Sequence, residues 1–389
     1  MGMRSLEEVA RERLAARAAD GLLRTRTLLD GAQGVHPVVD GRRVLSFASN
    51  DYLGLAAHPL VVDALRKAAR EYGVGSGASH LLTGHSRPHR DLEQALAEYT
   101  GRPRAVLFST GYMANLAVVS ALLDRHDAVF EDRYNHASLV DAGLLSRARL
   151  RRYPHADAAS LGRQLSLSSE RHRMVVTDGV FSMDGDLAPL RELRAQAEGA
   201  GGAWLCVDDA HGLGVVGPTG RGTLEVEGLG LQDVPVLVGT LGKAFGTFGA
   251  FVAGSEALVE ALVQFARSYI YTTALPPALA AATLESVRVA AQGEARDRLH
   301  AAMGRFRDGA AQRGLPVIPT PSPIHPLILG GSGRAVAASR ALLERGILVP
   351  AIRPPTVPQG AARLRISFSA AHSTADVDRL LDALTAVLS

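Results

Sequence analysis

The sequence predicts an α/β fold: a mostly parallel central sheet covered on both faces by helices, followed by a smaller C-terminal α+β domain. Three observations carry this reading. Short apolar runs alternate with helical patterns along the middle of the chain, at "RAVLF", "AVFED", "RMVVTDGV", "AWLCVDDAH" and "PVLVGT". Alternation of that kind belongs to parallel sheets, whose chemistry sits at the carboxyl ends of the strands. The composition, 47% hydrophobic and 21% charged with 40 glycines in 389 residues, is that of a loop-rich globular enzyme with ample core. The final stretch then changes character, giving a long Ala/Arg helical pattern and the strand-like runs "PVIP", "PIHPLILG", "GILVPAI" and "ARLRISFS" before a last helix from Thr374.

Taken in order, residues 1–44 hold a helix of alternating acids and arginines, then "VHPVVDGRRVLSF", a hairpin-like pattern turning at Asp40 and Gly41. The first segment reads as amphipathic and lacks the apolar core of a signal peptide. Residues 45–283 form the large α/β unit, and residues 284–389 the small α+β unit. Net charge is only +3 and no dense basic run occurs, which argues against nucleic acid as a partner. Even the most apolar stretch, "ALPPALAAATLESVRVAA", is broken by a proline pair, a glutamate and an arginine, so no membrane span is expected. The single cysteine, Cys206, lies in an apolar run and reads as a core thiol of a cytoplasmic protein.

Several motifs invite wrong answers. "LGKAF" fails as a phosphate-binding loop, because Leu237 stands where the first glycine is needed and Ala244 where a hydroxyl is needed. "GVGSGA" follows a helical pattern rather than a strand, which argues against a dinucleotide site. No Gly-x-Ser-x-Gly elbow is present. His80, His85 and His89 lie close in sequence, but Pro88 interrupts them and no carboxylate or cysteine completes a metal set, so no metal is expected.

Lysine usage is more informative. Of 42 basic residues only two are lysines, Lys67 and Lys243. Lys67 sits in a solvated helical pattern beside Arg66 and Arg70. Lys243 stands alone among glycines, threonines and apolar residues in "VLVGTLGKAFGTFGA". Where arginine serves every ordinary need for charge, a retained lysine points to amine chemistry, which guanidinium cannot perform. "CVDDAHGLG" places Asp208 at the end of an apolar strand with His211 three residues later. An isolated amine and a buried carboxylate are what pyridoxal 5'-phosphate requires, the amine for its aldehyde and the carboxylate for its pyridine nitrogen. "LFSTGYMANLAVVSALL" reads as strand, turn and helix, so the amides near Gly111 and Tyr112 suit a phosphate dianion, with Thr240 adding a hydroxyl. His136 in "NHASLVDAG" can stack on a ring, and Ser182 in "TDGVFSMDGD" can bond its phenolic oxygen.

The motifs "SNDYLGL", "STGYMAN", "NHAS", "GVFSMDGD", "VDDAHGLGVVG", "TLGKAFG" and "YTTALPP" occur in this order. In them the chain resembles the α-oxoamine synthases, pyridoxal-phosphate enzymes of the aspartate-aminotransferase fold type (fold type I). The segment "IRPPTVPQGAARLRISFSAAH" is similar to the biotin-pathway branch of that family, which implies L-alanine and a pimeloyl thioester as substrates. The resemblance implies Lys243 as the covalent anchor of the cofactor, Asp208 at the pyridine nitrogen, and His211 with Ser182 at the phenolic oxygen. It implies Gly111, Tyr112 and Thr240 at the phosphate, and His136 both on the ring and against the amino acid. Asn50 and Arg353 would hold the amino-acid carboxylate, with Arg24 and Thr356 at substrate positions. Thr272 and Thr273 would reach the phosphate of a neighbouring subunit, since the family builds its sites at a homodimer interface. Three other readings stand beside this one: a sister synthase using glycine or serine with another acyl-CoA, a catalytically silent partner subunit, and a transaminase.

Overall fold

The computed structural model describes residues 3–19 and 22–388; Met1, Gly2, Asp20, Gly21 and Ser389 lie outside the described residues. The first helix, α1 (Leu6–Ala19), buries none of its side chains, so the expected amphipathic helix has no packed face. Strands β1 (Leu29–Asp30), β2 (Val38–Val39) and β3 (Arg42–Arg43) form a small antiparallel sheet. Its hairpin turns through Asp40 and Gly41, both at positive φ (47° and 75°), a conformation glycine adopts without steric cost. Then come β4 (Leu45–Ser46) and the helices α2 (Pro59–Tyr72) and α3 (Arg87–Thr100).

The central sheet contains β5 (Arg104–Phe108), β6 (Ala128–Asp132), β7 (Arg149–Tyr153), β8 (Arg173–Asp178), β9 (Trp204–Asp208), β10 (Val236–Thr240) and β11 (Ala250–Gly254). Its order is β5-β11-β10-β9-β8-β6-β7. The run from β10 to β7 is parallel, and β11 is antiparallel to both neighbours. Two of these strands escape the sequence reading. The edge strand β7, "RLRRY", shows arginines instead of an apolar run, and β11 follows β10 without the helix that a parallel crossover requires. The interior strands alternate their burial between two cores. Met174, Val176 and Cys206 pack on one face, Val175, Leu205 and Val207 on the other, as the period of two demands. Helices α4 (Gly111–Leu122) and α5 (Ala137–Ser146) follow β5 and β6 and start at the carboxyl ends of those strands.

Beyond two helices, Pro277–Ala291 and Glu294–Gln312, lie β12 (Ile324–Gly330), β13 (Ile347–Leu348), β14 (Ala351–Ile352) and β15 (Ala362–Ser367). Strands β12, β15 and β14 make a three-stranded antiparallel sheet, and β13 pairs parallel with β4. The run "GILVPAI" therefore splits into two strands at Pro350, which has no N–H to donate to a ladder. "PVIP" forms no strand and contributes one bridge, Val317 to Leu327. A third core joins Leu45, Phe47 and Tyr52 to Leu213, Phe245, Ile324, Leu364 and Phe368, locking this sheet against the turn that carries Lys243.

Candidate active site

Lys243 sits in the turn between β10 and β11. That turn is fixed against the segment after Tyr52 by Gly246, whose φ is +64° and whose added Cβ would lie 2.4 Å from the Ala56 nitrogen. Only glycine allows this approach, which seats the turn against Leu55 and Ala56. Burial pushes the Lys243 amine down to about 8, while the carboxylates of Asp208 and Asp178 pull it back up. Among the described residues the amine has neither a hydrogen bond nor an ion pair, so its environment is set by field rather than contact.

Asp208 ends β9, and its partner in register is Asp178 at the end of β8. Two buried carboxylates side by side are costly, and each is held. The Asp208 Oδ2 accepts from Asn115 Nδ2 at 2.6 Å and its Oδ1 from the Ala210 amide at 3.1 Å. The Asp178 Oδ2 accepts from the His136 amide at 2.8 Å. Burial and the neighbouring Asp208 charge raise the Asp178 carboxyl well above the ordinary range.

Asn115, on the inner face of α4, ties this acid to His136. Its Nδ2 also donates to Ser138 Oγ at 2.8 Å, and Ser138 Oγ lies 2.7 Å from His136 Nδ1, which further accepts from the Ser138 amide at 3.3 Å. His136 caps α5 in this way, so its Nδ1 is an acceptor and a neutral ring carries its proton on Nε2. Burial lowers its pKa, and Asp208 opposes that shift.

A second chain of polar groups begins at His211. Its Nδ1 is 2.7 Å from the hydroxyl of Tyr52, which is fully buried. Arg365, on β15, donates from Nη1 and Nη2 to Asn50 Oδ1 (3.3 Å each), from Nη2 to the Tyr52 hydroxyl (3.5 Å) and from Nε to the Ser182 carbonyl (2.6 Å). With Asn50 Oδ1 already served by Arg365, the Tyr52 proton is best used on His211 Nδ1. Burial, followed by the charges of Lys243 and Arg365, keeps His211 far below its usual pKa and hence neutral. Among the described residues no carboxylate pairs with Arg365, a buried cation whose partners are all neutral.

At the other side, Gly111 and Tyr112 open α4, whose cap is Thr110 Oγ1 accepting from the Met113 amide at 3.2 Å. Ahead of the capped Met113, the Gly111 and Tyr112 amides have no hydrogen-bond partner among the described residues and can face an anion. The Tyr112 hydroxyl donates to Asp141. Thr240 ends β10 and its Oγ1 bonds the Gly249 carbonyl at 3.2 Å. Next to this cluster opens a cleft of about 780 Å³ lined by His136, Ser182, Arg24 and Thr356 among others. The structure thus brings Arg24 and Thr356 together from opposite ends of the chain. Thr356 belongs to a turn closed by its amide on the Arg353 carbonyl at 3.0 Å. Thr272 and Thr273 lie outside this cleft, in the connection before helix Pro277–Ala291.

The sequence reading did not single out Asn115, Asp178, Tyr52 or Arg365. Tyr52 and Asn115 stand inside the motifs "SNDYLGL" and "STGYMAN", and Asp178 ends a recognised strand. Arg365 had one signal, a cation in the otherwise apolar run "ARLRISFS". His80, His85 and His89 do meet, with His80 and His85 Nδ1 atoms 3.0 Å apart, but among the described residues no set of three potential ligands is placed to hold a metal ion.

The model of the family described as aminotransferase class I and II matches residues 42–384. The chain belongs to that family. It is 61% identical over 373 residues to the 8-amino-7-oxononanoate synthase of Stutzerimonas stutzeri (strain A1501), covering 96% of this chain and 95% of the relative. It is also 61% identical over 372 residues to the enzyme of that name from Methylococcus capsulatus (strain ATCC 33009 / NCIMB 11132 / Bath), covering 95% and 96%. Among solved structures, a serine palmitoyltransferase from S. paucimobilis with bound PLP–myriocin aldimine superposes with TM-score 0.92 at 32% identity, covering 99% of this chain and 98% of that one. The 8-amino-7-oxononanoate synthase of Francisella tularensis gives TM-score 0.76 at 33% identity, covering 89% and 98%. The aminotransferase-like fold expected from the sequence is the fold observed. No described helix is long and apolar enough to cross a membrane.

The residues present fit pyridoxal 5'-phosphate. A lone amine of lowered pKa faces a fixed carboxylate, and a helix N-terminus with open amides lies within the same group of strand ends.

Proposed function

We propose that this chain catalyses the decarboxylative condensation of L-alanine with a pimeloyl thioester to 8-amino-7-oxononanoate, carbon dioxide and the free thiol carrier, a step of biotin biosynthesis in the cytoplasm. The observation that carries the chemistry is the unpaired Lys243 amine beside Asp208. The substrates follow from the relatives of that name, about 60% identical over nearly the whole chain.

Lys243 would anchor pyridoxal phosphate in the resting enzyme and Asp208 would hold its pyridine nitrogen; when bound, the cofactor would supply a sink for the electron pair that remains when the alanine α-proton leaves. Asn115 and the Ala210 amide orient the Asp208 carboxylate, so its position opposite the ring nitrogen stays fixed. His136, fixed by Ser138, lies against the ring, and His211 with Ser182 serves the phenolic oxygen. Gly111, Tyr112 and Thr240 take the phosphate, and Thr272 and Thr273 reach that of a second copy in a homodimer. Lys243, with an amine poised near neutrality, removes the α-proton and later returns one to the product carbon. Asn50 and Arg365 hold the amino-acid carboxylate, together with Arg353 from the "IRPPTVP" loop. Arg365 suits this role because its guanidinium is buried and already aimed by four neutral acceptors, the Ser182 carbonyl, Asn50 Oδ1, the Tyr52 hydroxyl and Ser367 Oγ. Arg24 and Thr356 contact the acyl donor.

The test is mass spectrometry of products from alanine, glycine or serine with a panel of acyl-CoAs. The reading requires 8-amino-7-oxononanoate from alanine and pimeloyl-CoA as the preferred product. Preference for glycine or serine with another acyl-CoA assigns a sister synthase instead, and a chain without cofactor absorbance is a silent subunit.

A further inference from the structure

The cleft lined by His136 and Ser182 is also lined by two arginines, Arg133 and Arg152, that the catalytic chemistry does not use. Arg133 follows β6, and Arg152 lies on β7, the outer strand of the sheet; both line the cleft. Arg152 Nη2 donates to the Arg133 carbonyl at 2.5 Å, which holds the two residues together. Two acids, Asp141 and Asp184, share the wall, but each is already engaged, Asp141 by the Tyr112 hydroxyl and Asp184 by an ion pair with Arg363. Among the described residues neither Arg133 nor Arg152 has an ion-pair partner, and the Tyr112 hydroxyl leaves the Asp141 charge in place, so two guanidiniums stand on this wall against one carboxylate without a cation partner and the net charge is positive.

Position across the sheet gives a length. Asp208 is on β9, and the strands β8, β6 and β7 follow in order, with Arg152 in register with Glu131 of β6. Three strand spacings of about 4.8 Å, with an offset of two residues or about 6.6 Å along the strand, separate the two residues by roughly 16 Å. A seven-carbon chain has six carbon–carbon bonds of about 1.5 Å and spans roughly 7–8 Å when extended as a zigzag. An extended arginine side chain covers the remainder. A two-carbon acyl group does not reach this far, and a monoacid of seven carbons has nothing to offer on arrival. Resting on the proposed pimeloyl donor, we propose that Arg133 and Arg152 receive the distal carboxylate of the acyl chain and select acyl donors that end in an acid.

The same guanidiniums also suit the phosphates of a coenzyme A carrier, and the experiment separates the two anions. kcat/KM is measured with pimeloyl-CoA and with heptanoyl-CoA, which keeps the carrier and the seven carbons but lacks the distal charge, for the wild type, Arg133→Gln and Arg152→Gln. Both arginines are solvent-exposed, so each substitution is expected to lower kcat/KM for pimeloyl-CoA by roughly three- to tenfold and to change it less than about twofold for heptanoyl-CoA. Equal losses with both donors assign the arginines to the carrier phosphates and overturn the proposal, as does no loss with either. Arg133→Gln keeps the carbonyl that Arg152 uses, so its fold is not at issue. Exchange of the alanine α-proton without any acyl donor tests the cofactor and amino-acid reading separately. A wild type that exchanges this proton but does not prefer pimeloyl-CoA to heptanoyl-CoA sinks the selection while leaving that reading intact.

Discussion

The position of the Lys243 titration is the sharpest quantity the site offers. Its amine is held at about 8, first by burial, with Asp208 and Asp178 opposing the shift and Arg365 adding to it. At pH 7.5 an amine of pKa about 8 is roughly one-quarter neutral, whereas one of ordinary pKa near 10.4 is neutral at only about one part in a thousand. The reactive fraction is therefore increased by a few hundredfold, which is the advantage a Schiff-base lysine needs. The chain contains only one other lysine, Lys67, which is exposed and serves as an internal reference. Trace acetylation of the cofactor-free protein from pH 6 to 11, read by peptide mass spectrometry, should give a Lys243 curve centred near 8. Because Asp208 raises this pKa, Asp208→Asn should move the midpoint lower still. A midpoint in the ordinary lysine range, or an upward move in Asp208→Asn, would refute the electrostatic account of the site.

Lys243→Arg keeps the charge but not the amine chemistry; borohydride should then fix no cofactor to the chain and turnover should vanish, while a label found at Lys67 in the wild type would contradict the assignment. Arg365→Lys should raise the alanine dissociation constant about tenfold or more, since charge-assisted hydrogen bonds contribute roughly 1.5–3 kcal/mol. Arg353→Ala provides the comparison, and unchanged alanine binding in a folded Arg365→Lys protein would remove Arg365 from the substrate. Glu131, wholly buried with both carboxylate oxygens unpartnered, is pushed up to about 7 by burial. Its folded pKa exceeds the unfolded one, so the native state binds the extra proton between about pH 4.5 and 7 and stability falls as pH rises through that window, by at most about 3 kcal/mol. Glu131→Gln should flatten the decline in urea midpoint between pH 5 and 8; an unaltered slope would place the loss elsewhere.

Much of the fold was legible because its signals are local. Apolar runs at "RAVLF", "RMVVTDGV" and "PVLVGT" are strands whatever they pack against, since a strand buried on both faces needs continuous hydrophobicity. Lys243 stood out for a compositional reason, and Asp208 because a charge at the end of an apolar strand has to be used or neutralised. Where the local pattern misled, a neighbour decided. Arg149, Arg151 and Arg152 are tolerated in β7 because it is an edge strand, and α1 has the charge pattern of an amphipathic helix without a surface to lie on. The polar frame of the site lay beyond the reach of the sequence. Arg365 meets Asn50 across 315 positions, Tyr52 meets His211 across 159, and Asn115 meets Asp208 across 93. Each of these residues carries donors or acceptors that many partners satisfy equally well in an extended chain. Burial removes water as the alternative, so only the packed structure fixes which partner each must find.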